Sequence, residues 1–503
     1  VHKVNLASAI PYISQGLSWI GASLLKAGHE VKVIDALIEG WSNQQKCEDD
    51  STYIGLTAEE IKSRLKNYSP DLVGIGVPFS TQAKMSLLCA RLSKEVFPDV
   101  PVVMGGNHVT VLPESVARDK NVDYVVTGEG EVAMVYLAAS IGRGEKPEAI
   151  PGVGYVNESG IFHLTKAEYI KDLNSLPLPA YHLMPMEEYF KQYKCRYMTI
   201  MTSRGCPYNC SFCSVHAVHG HKFRPRNVQH VIDEIAMLKD RFGITDLSIE
   251  DDNFTADYVR TEQIFSNIVS RNFDLSIYLR NGVRSEFLDH KLLALMKKGG
   301  LKKIWLAPES GSRRIREEVI GKKIKMENIY KAVREASELG ICVGIFLVIG
   351  FPDETKAEIE ETFALAGELR MLGANYIWFS VATPYFGTRL YREAIKMGCL
   401  EDIDPALLNT NAVSINCKNI TKDELIRLRG DAMEKYNKPI HLSLRQKIIS
   451  SIKHPKWALT AVSAKLANRL WAASLINRLI IERTFVSRLK GNPPLTPPGR
   501  GAC

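Results

Sequence analysis

A chain of 503 residues, 45% hydrophobic and 24% charged, with a net charge of +8, has the makeup of a soluble protein of about two to four domains. Its ten cysteines exclude a disulfide framework: Cys47, Cys89, Cys195, Cys342, Cys399, Cys417 and Cys503 are scattered without regular spacing, and a reducing cytoplasm is the expected compartment. No apolar run reaches the ~18 residues of a membrane span, the longest being Ile341 to Phe351, and Val1 to Leu6 enter a strand directly with no signal peptide.

Residues 1–145 alternate strand and helix with short connections, the pattern of a doubly wound parallel α/β sheet. Strands are expected at Lys3 to Ala7, Glu30 to Asp35, Asp71 to Val77, Val100 to Met104 and Tyr124 to Thr127. Leu17, Ile20, Leu24 and Leu25 give the first helix an apolar face ending near Gly28, and Thr57-Ala58-Glu59-Glu60 is a capping box opening the second. Such a sheet binds ligands at the carboxyl ends of its strands. The loops there are small and polar: Ser8, Ser80-Thr81, Gly105-Gly106-Asn107-His108-Val109-Thr110 and Gly128-Glu129-Gly130-Glu131. Glycines would let a large flat ligand approach the backbone, although each taken singly also reads as an ordinary turn. No G-x-G-x-x-G follows the first strand, which speaks against a nicotinamide or flavin dinucleotide.

Residues 146–195 form a connector, with a hairpin over Gly154 to Lys166 around Asn157-Glu158-Ser159-Gly160 and a Pro-rich stretch from Leu173 to Tyr193. Alternation resumes over 196–400. Strands are expected at Tyr197 to Thr202, Asp246 to Glu250, Leu275 to Leu279, Lys303 to Pro308, Cys342 to Ile349 and Asn375 to Val381, with helices such as Asn227 to Phe242 and Lys356 to Leu372 between them. Six such units make a partial (β/α)6 barrel.

The densest chemistry follows the first barrel strand, where Cys206, Cys210 and Cys213 are spaced C-x3-C-x2-C. Three thiolates on one loop clamp a soft metal centre from one side. A fourth ligand from His216, His219 or His221 would make a Cys3His zinc site instead, and three unrelated buried cysteines remain the bland reading. Farther on, Glu250-Asp251-Asp252-Asn253 ends a strand in acids that would accept hydrogen bonds from an ammonium or ribose hydroxyls, or equally cap a solvated helix. Arg204 is either a structural cap or a cation that tunes the cluster.

At the cysteine loop the sequence resembles the radical S-adenosylmethionine superfamily, including the aromatic Phe212 before the last cysteine. The resemblance implies a 4Fe-4S cluster on Cys206, Cys210 and Cys213, its open iron taking S-adenosylmethionine, from which a 5′-deoxyadenosyl radical is split. Ala307-Pro308-Glu309-Ser310-Gly311 and Val348-Ile349-Gly350-Phe351-Pro352-Asp353-Glu354 resemble that superfamily's ribose and adenine motifs, which implies ribose contacts for Glu309 and Ser310 and open backbone at Gly350. Thr383-Pro384-Tyr385-Phe386-Gly387-Thr388 resembles the Pro-x-x-Gly-Thr of cobalamin-linked members.

The loops of residues 1–145 together resemble the cobalamin-binding domain that precedes many such barrels, which implies corrinoid contacts for Ser8, Ser80, Thr81, Gly105, Gly106, His108, Thr110, Gly128, Glu129 and Gly130. The D-x-H-x-x-G motif that supplies a cobalt-binding histidine is absent after the first strand, where Ala7 to Pro11 stand. His108, on another loop, reads as a pocket or turn residue and not a cobalt ligand.

Residues 401–490 are expected to be a helical extension, followed by a disordered, Pro-rich tail over 491–503. Lys438 to Lys490 holds eleven Lys/Arg against Glu482 alone, so it carries +10 and the remainder −2. Leu459, Val462, Leu466 and Leu470 form one stripe beside Trp457 and Trp471, which reads as a helical cap on the barrel or as a peripheral membrane contact suited to a lipid-like substrate. No nucleic-acid module is present. The resemblance implies methylation of an unactivated carbon or phosphorus centre through methylcobalamin, with an external one-electron reductant such as flavodoxin or ferredoxin. The alternatives are a cyclase or ring-rearranging enzyme without net methyl transfer, and a cobalamin-sensing protein with a structural cluster.

Overall fold

The computed structural model describes residues 2–4, 11–46, 52–400, 408 and 413–438. Ser8 and the basic stripe beyond residue 438 lie outside the described residues.

The first strands are short: β1 (His2–Val4), β2 (Gln44–Lys46) and β3 (Thr52–Ile54) form an antiparallel sheet in the order β1-β3-β2. The N-terminal sheet proper runs parallel through β4 (Val73–Gly76), β5 (Val102–Gly105) and β6 (Tyr124–Val126). The expected hairpin, β7 (Val153–Val156) and β8 (Phe162–Leu164), extends it with antiparallel pairing. Helix Ala58–Tyr68 opens with both halves of the Thr57–Glu60 capping box. Helix Gln15–Lys26 also forms, but it buries Ser18, Trp19, Gly21, Ala22 and Ser23, while the expected face of Leu17, Ile20, Leu24 and Leu25 is only half-buried, because Leu17, Ile20 and Leu24 border a cavity.

Two expected strands differ. Glu30 to Asp35 makes no ladder; Asp35 instead caps helix Ala36–Glu39 and accepts a hydrogen bond from the phenol of Tyr189. The strand expected over Lys3 to Ala7 is met over His2–Val4, in an antiparallel pair that composition could not foretell.

After the two-residue pair β10 (Ser203–Arg204) and β11 (Arg224–Pro225), which follows β9 (Tyr197–Ile200), the barrel continues with β12 (Asp246–Ile249), β13 (Ser276–Val283), β14 (Leu301–Glu309), β15 (Cys342–Ile349) and β16 (Tyr376–Val381). The six strands lie in the order β16-β15-β14-β13-β12-β9, and every neighbouring pair is parallel. Period-two alternation decides their faces. Met198, Leu247, Ile277, Ile304, Val343 and Ile377 point outward under the helices and are no more than 1% exposed. Their sequence neighbours Tyr197, Tyr278, Lys303 and Tyr376 face the interior.

The described part of the C-terminal extension, helix Lys422–Asn437, packs on the barrel as a cap. Asn437 pairs with both backbone groups of Ile377, at 3.0 and 2.8 Å, so it covers part of the open edge of β16. Leu425 is fully buried.

Candidate active site between sheet and barrel

A cavity of about 2170 Å³ runs from residues 29–34 and the edge of β4, past the carboxyl-end loops of the N-terminal sheet, into the barrel lumen. Gly105, Gly106, Gly128, Glu129 and Gly130 border it from one side, and Arg204, His219, Glu250 and Asp252 from the other. Ligand sites favour such junctions.

The cysteine loop is fixed at both ends by hydrogen bonds to residues of other elements. Asp252 accepts from the Gly205 N–H at 2.8 Å and from His219 Nδ1 at 2.9 Å. Burial opposes the charge on Asp252, but His219 and that backbone bond hold its carboxyl below the usual range. Gly205 sits at φ +83, where a Cβ would lie 2.2 Å from the Lys222 carbonyl. At the far end Ser211 N–H donates to Ile320 O, and Ser211 O accepts from Leu390 N–H, both at 2.8 Å. Phe212 packs against Phe351 with centroids 6.4 Å apart.

Burial raises all three thiols, Cys213 to about 12, a shift that a bound metal cation would oppose. That donor chemistry suits a thiolate-bound metal centre. Among the described residues no three His, Cys, Asp or Glu side chains gather about one point as a single ion requires. Cysteines serving separate corners of a cluster need not do so. His219 is spent on Asp252, and His216 stacks on His221 at 4.0 Å.

Glu309 ends β14 at φ +69, a left-handed conformation that a non-glycine residue holds only under constraint. Its Oε1 accepts from Lys322 Nζ at 2.8 Å, while Oε2 makes no hydrogen bond among the described residues. Nothing in the local sequence of Lys322 marks it for this role. Ser310 differs from expectation: it is fully buried, its hydroxyl 3.0 Å from Thr362 Oγ1 and accepting from Ser312 N–H, so it braces the turn. Gly350 has φ +88, with Leu425 2.4 Å from where a Cβ would be. The buried Glu354 carboxylate accepts from the N–H groups of Gly350 and Phe351.

Among the acids after β12, Glu250 borders the cavity, its carboxyl pushed up by burial, and Ser248 donates to it at 2.5 Å. Asp251 instead ties down the end of β9 through Thr202 and Ser203.

On the N-terminal sheet, Ser80, Thr81, His108 and Thr110 stand behind the cavity wall rather than in it. His108 Nδ1 lies 3.0 Å from Ser80 Oγ, and Thr110 bonds Gly106 O and Gly128 N–H, so these residues shape the glycine loops. Gly106 is required locally: at φ +109 a Cβ would press within 2.8 Å of the Val77 carbonyl. The glycines leave bare backbone along the wall, a fit for a broad flat ligand. Glu129 is turned to other work. It takes both Nη groups of Arg224 at 2.7 Å, the Ile170 N–H at 2.7 Å, and Arg204 at 3.4 Å. Arg204 also donates to Glu131 at 2.5 Å, which makes it a structural bridge between sheet and barrel.

A cysteine loop at the mouth of a parallel barrel, held by Asp252 and His219 that line the same cavity as the glycine loops of the sheet, defines an α/β enzyme built for cofactors on both sides. Residues 2–138 match the B12 binding domain and residues 200–366 the radical SAM superfamily. An uncharacterised methyltransferase, PH0819, of Pyrococcus horikoshii is 33% identical over 415 residues, covering 82% of this chain and 85% of that one. Cytidylyl-2-hydroxyethylphosphonate methyltransferase of Streptomyces wedmorensis is 30% identical over 423 residues, covering 77% and 78%. In fold, the chain resembles the solved radical S-adenosylmethionine methyltransferase TsrM of Kitasatospora setae, with a TM-score of 0.63 at 20% identity over 78% and 73% of the two chains. The chain belongs to the family of cobalamin-binding radical S-adenosylmethionine enzymes, whose cofactors are a 4Fe-4S cluster, S-adenosylmethionine and cobalamin. Enzymes of this superfamily take small-molecule substrates and an external reductant. No helix among the described residues is long and apolar enough to cross a membrane.

Proposed function

We propose that this enzyme methylates an unactivated carbon or phosphorus centre of a small-molecule substrate. The observation that carries the reading is the single cavity bordered by Gly105, Gly106 and Gly128 of the sheet and by Asp252 and His219, which anchor the cysteine loop. The two methyltransferases at 33% and 30% identity support it. When bound, the cluster and S-adenosylmethionine supply a hydrogen-abstracting radical and the corrinoid supplies a methyl group.

In this reading Cys206, Cys210 and Cys213 hold the cluster, and Asp252 and Ser211 keep their loop in register. The free Oε2 of Glu309 offers the acceptor for a ribose hydroxyl, Lys322 fixing the other oxygen. Phe212 and Phe351 wall off water beside Gly350. The glycine loops hold the corrinoid, with Ser80, His108 and Thr110 setting their shape. Glu250, held toward its neutral form by burial, borders the same space and is placed to hydrogen-bond a substrate or the amino-acid end of S-adenosylmethionine. Ferredoxin or flavodoxin is the class of electron donor.

The test is anaerobic incubation of reconstituted enzyme with deuterated-methyl S-adenosylmethionine and a metabolite extract of the source organism, read by mass spectrometry. A product three deuteriums heavier than its precursor is expected, together with 5′-deoxyadenosine. Formation of 5′-deoxyadenosine with an unlabelled rearranged product would replace methyl transfer by cyclisation. Absence of 5′-deoxyadenosine would remove the radical chemistry.

A further inference from the structure

The inner face of the barrel carries more than cofactor sites. Arg280, in the middle of β13, is exposed to the cavity, and among the described residues it makes no ion pair or hydrogen bond. Its guanidinium lies over the rings of Tyr197 and Tyr278, 5.2 Å from each centroid. Of the acids nearby, Asp246 accepts from Tyr278 Oη at 2.7 Å and Thr245 Oγ1 at 2.8 Å, and Glu250, bonded to Ser248, feels the charge of Arg280 without forming an ion pair with it. A second cation, Lys303, sits over Trp305 and Tyr376 at 4.6 and 4.3 Å.

Beside these cations stands a flat wall. Trp305 of β14 and Phe346 of β15 stack with centroids 4.3 Å apart and planes 17° from parallel. Gly344 makes the wall possible, since a Cβ there would lie 2.4 Å from the indole. Glycine inside a strand is disfavoured by about 0.5–1 kcal/mol, so the sequence gives up stability to lay this indole flat. An aromatic wall next to an unpaired guanidinium selects a molecule with a ring and a negative group. Guanidinium forks match phosphate, phosphonate and carboxylate oxygens in pairs, and a further ring adds to the stack on the Phe346 side, since Phe346 and Lys303 cover the indole itself.

We propose that the lumen binds the substrate as an anionic, ring-bearing molecule, Arg280 taking its phosphate, phosphonate or carboxylate group and the Trp305–Phe346 wall its ring. This rests on the methyltransferase reading for the word substrate. The same cavity reaches Glu250 and Asp252 at the barrel mouth and the glycine loops of the sheet. A molecule anchored at Arg280 therefore has its far end in the space where the chemistry takes place.

The experiment is isothermal titration calorimetry on the reconstituted holoprotein, with S-adenosylmethionine present so that its site is filled. The probes are 1-naphthyl phosphate and its two halves, 1-naphthol and inorganic phosphate. The intact probe should bind at least about tenfold more tightly than either half. Arg280→Ala should erase its advantage over naphthol, Arg280→Lys should keep part of it, and Trp305→Ala should weaken naphthyl phosphate and naphthol alike. Equal affinity for naphthol and its phosphate, or an Arg280→Ala protein that binds like the parent, would overturn the proposal. Binding is read without turnover, so its outcome is independent of the deuterium-transfer experiment.

Discussion

Glu129 and Arg224, 95 residues apart, form a two-pronged buried ion pair in which both Nη groups donate to the carboxylate at 2.7 Å. Sheet and barrel are joined there, and neither partner is more than 8% exposed.

Removing one half leaves the other charged and buried. Arg224→Ala is expected to destabilise the enzyme by about 3–5 kcal/mol, softened by the contact of Arg204 with Glu129. The double variant Glu129→Leu with Arg224→Met should recover most of that loss, because an apolar pair strands no charge. Denaturant unfolding of the three proteins decides the matter; a double variant no better than Arg224→Ala would mean that the pair is not what holds the junction.

Asp252 acts on the cluster at one remove, through Gly205 N–H and His219. Asp252→Ala is expected to speed iron release to a chelator about tenfold or more, the range of supporting partners in other metal sites. Asp252→Asn, which keeps an acceptor for Gly205, should fall between. Iron and sulfide per chain after desalting give an independent reading.

Gly350→Ala meets two obstacles, a backbone at φ +88 and Leu425 at 2.4 Å from the new methyl. Left-handed strain of about 1–2 kcal/mol and overpacking of about 1–3 kcal/mol should lower the melting temperature markedly. Adding Leu425→Ala relieves the clash and leaves the strain. Partial recovery is the expected result, and full recovery would mean that the conformation at Gly350 is not constrained.

What could be read in the chain was what is encoded locally. The cap at Thr57, the succession of strands β12 to β16 and the cysteine spacing each involve residues within a few positions of one another. The pairings Glu309–Lys322, Glu129–Arg224 and Asp252–His219 join residues on different elements, and no periodicity announces them. Glu129 shows the consequence. Its Gly-Glu-Gly-Glu setting resembled a ligand loop, but two arginines from the barrel claimed the carboxylate. Ser310 likewise sat in the expected motif, yet its hydroxyl turned inward to Thr362 because the turn itself needed an acceptor for Ser312 N–H. Nothing local singles out Arg280 and Trp305, since strand alternation says which residues face inward and not what surrounds them there.

Glu354 makes stability depend on pH in a direction opposite to that of a salt-bridged acid. It is fully buried, with Oε1 lacking any partner, and burial pushes its carboxyl from the ordinary 4.5 up to about 8. Between those values the folded protein holds a proton that the unfolded chain has released. Stability from this group is therefore present below about 4.5 and is lost as pH climbs through about 8, with a slope approaching ~1.4 kcal/mol per pH unit. Glu354→Gln keeps an acceptor for Gly350 and Phe351 N–H and carries no charge at any pH. Melting temperatures of both proteins at about pH 5, 7 and 9 should diverge upward, the variant gaining on the parent as pH rises. Parallel curves would show that Glu354 ionises in the folded enzyme as readily as in the unfolded chain.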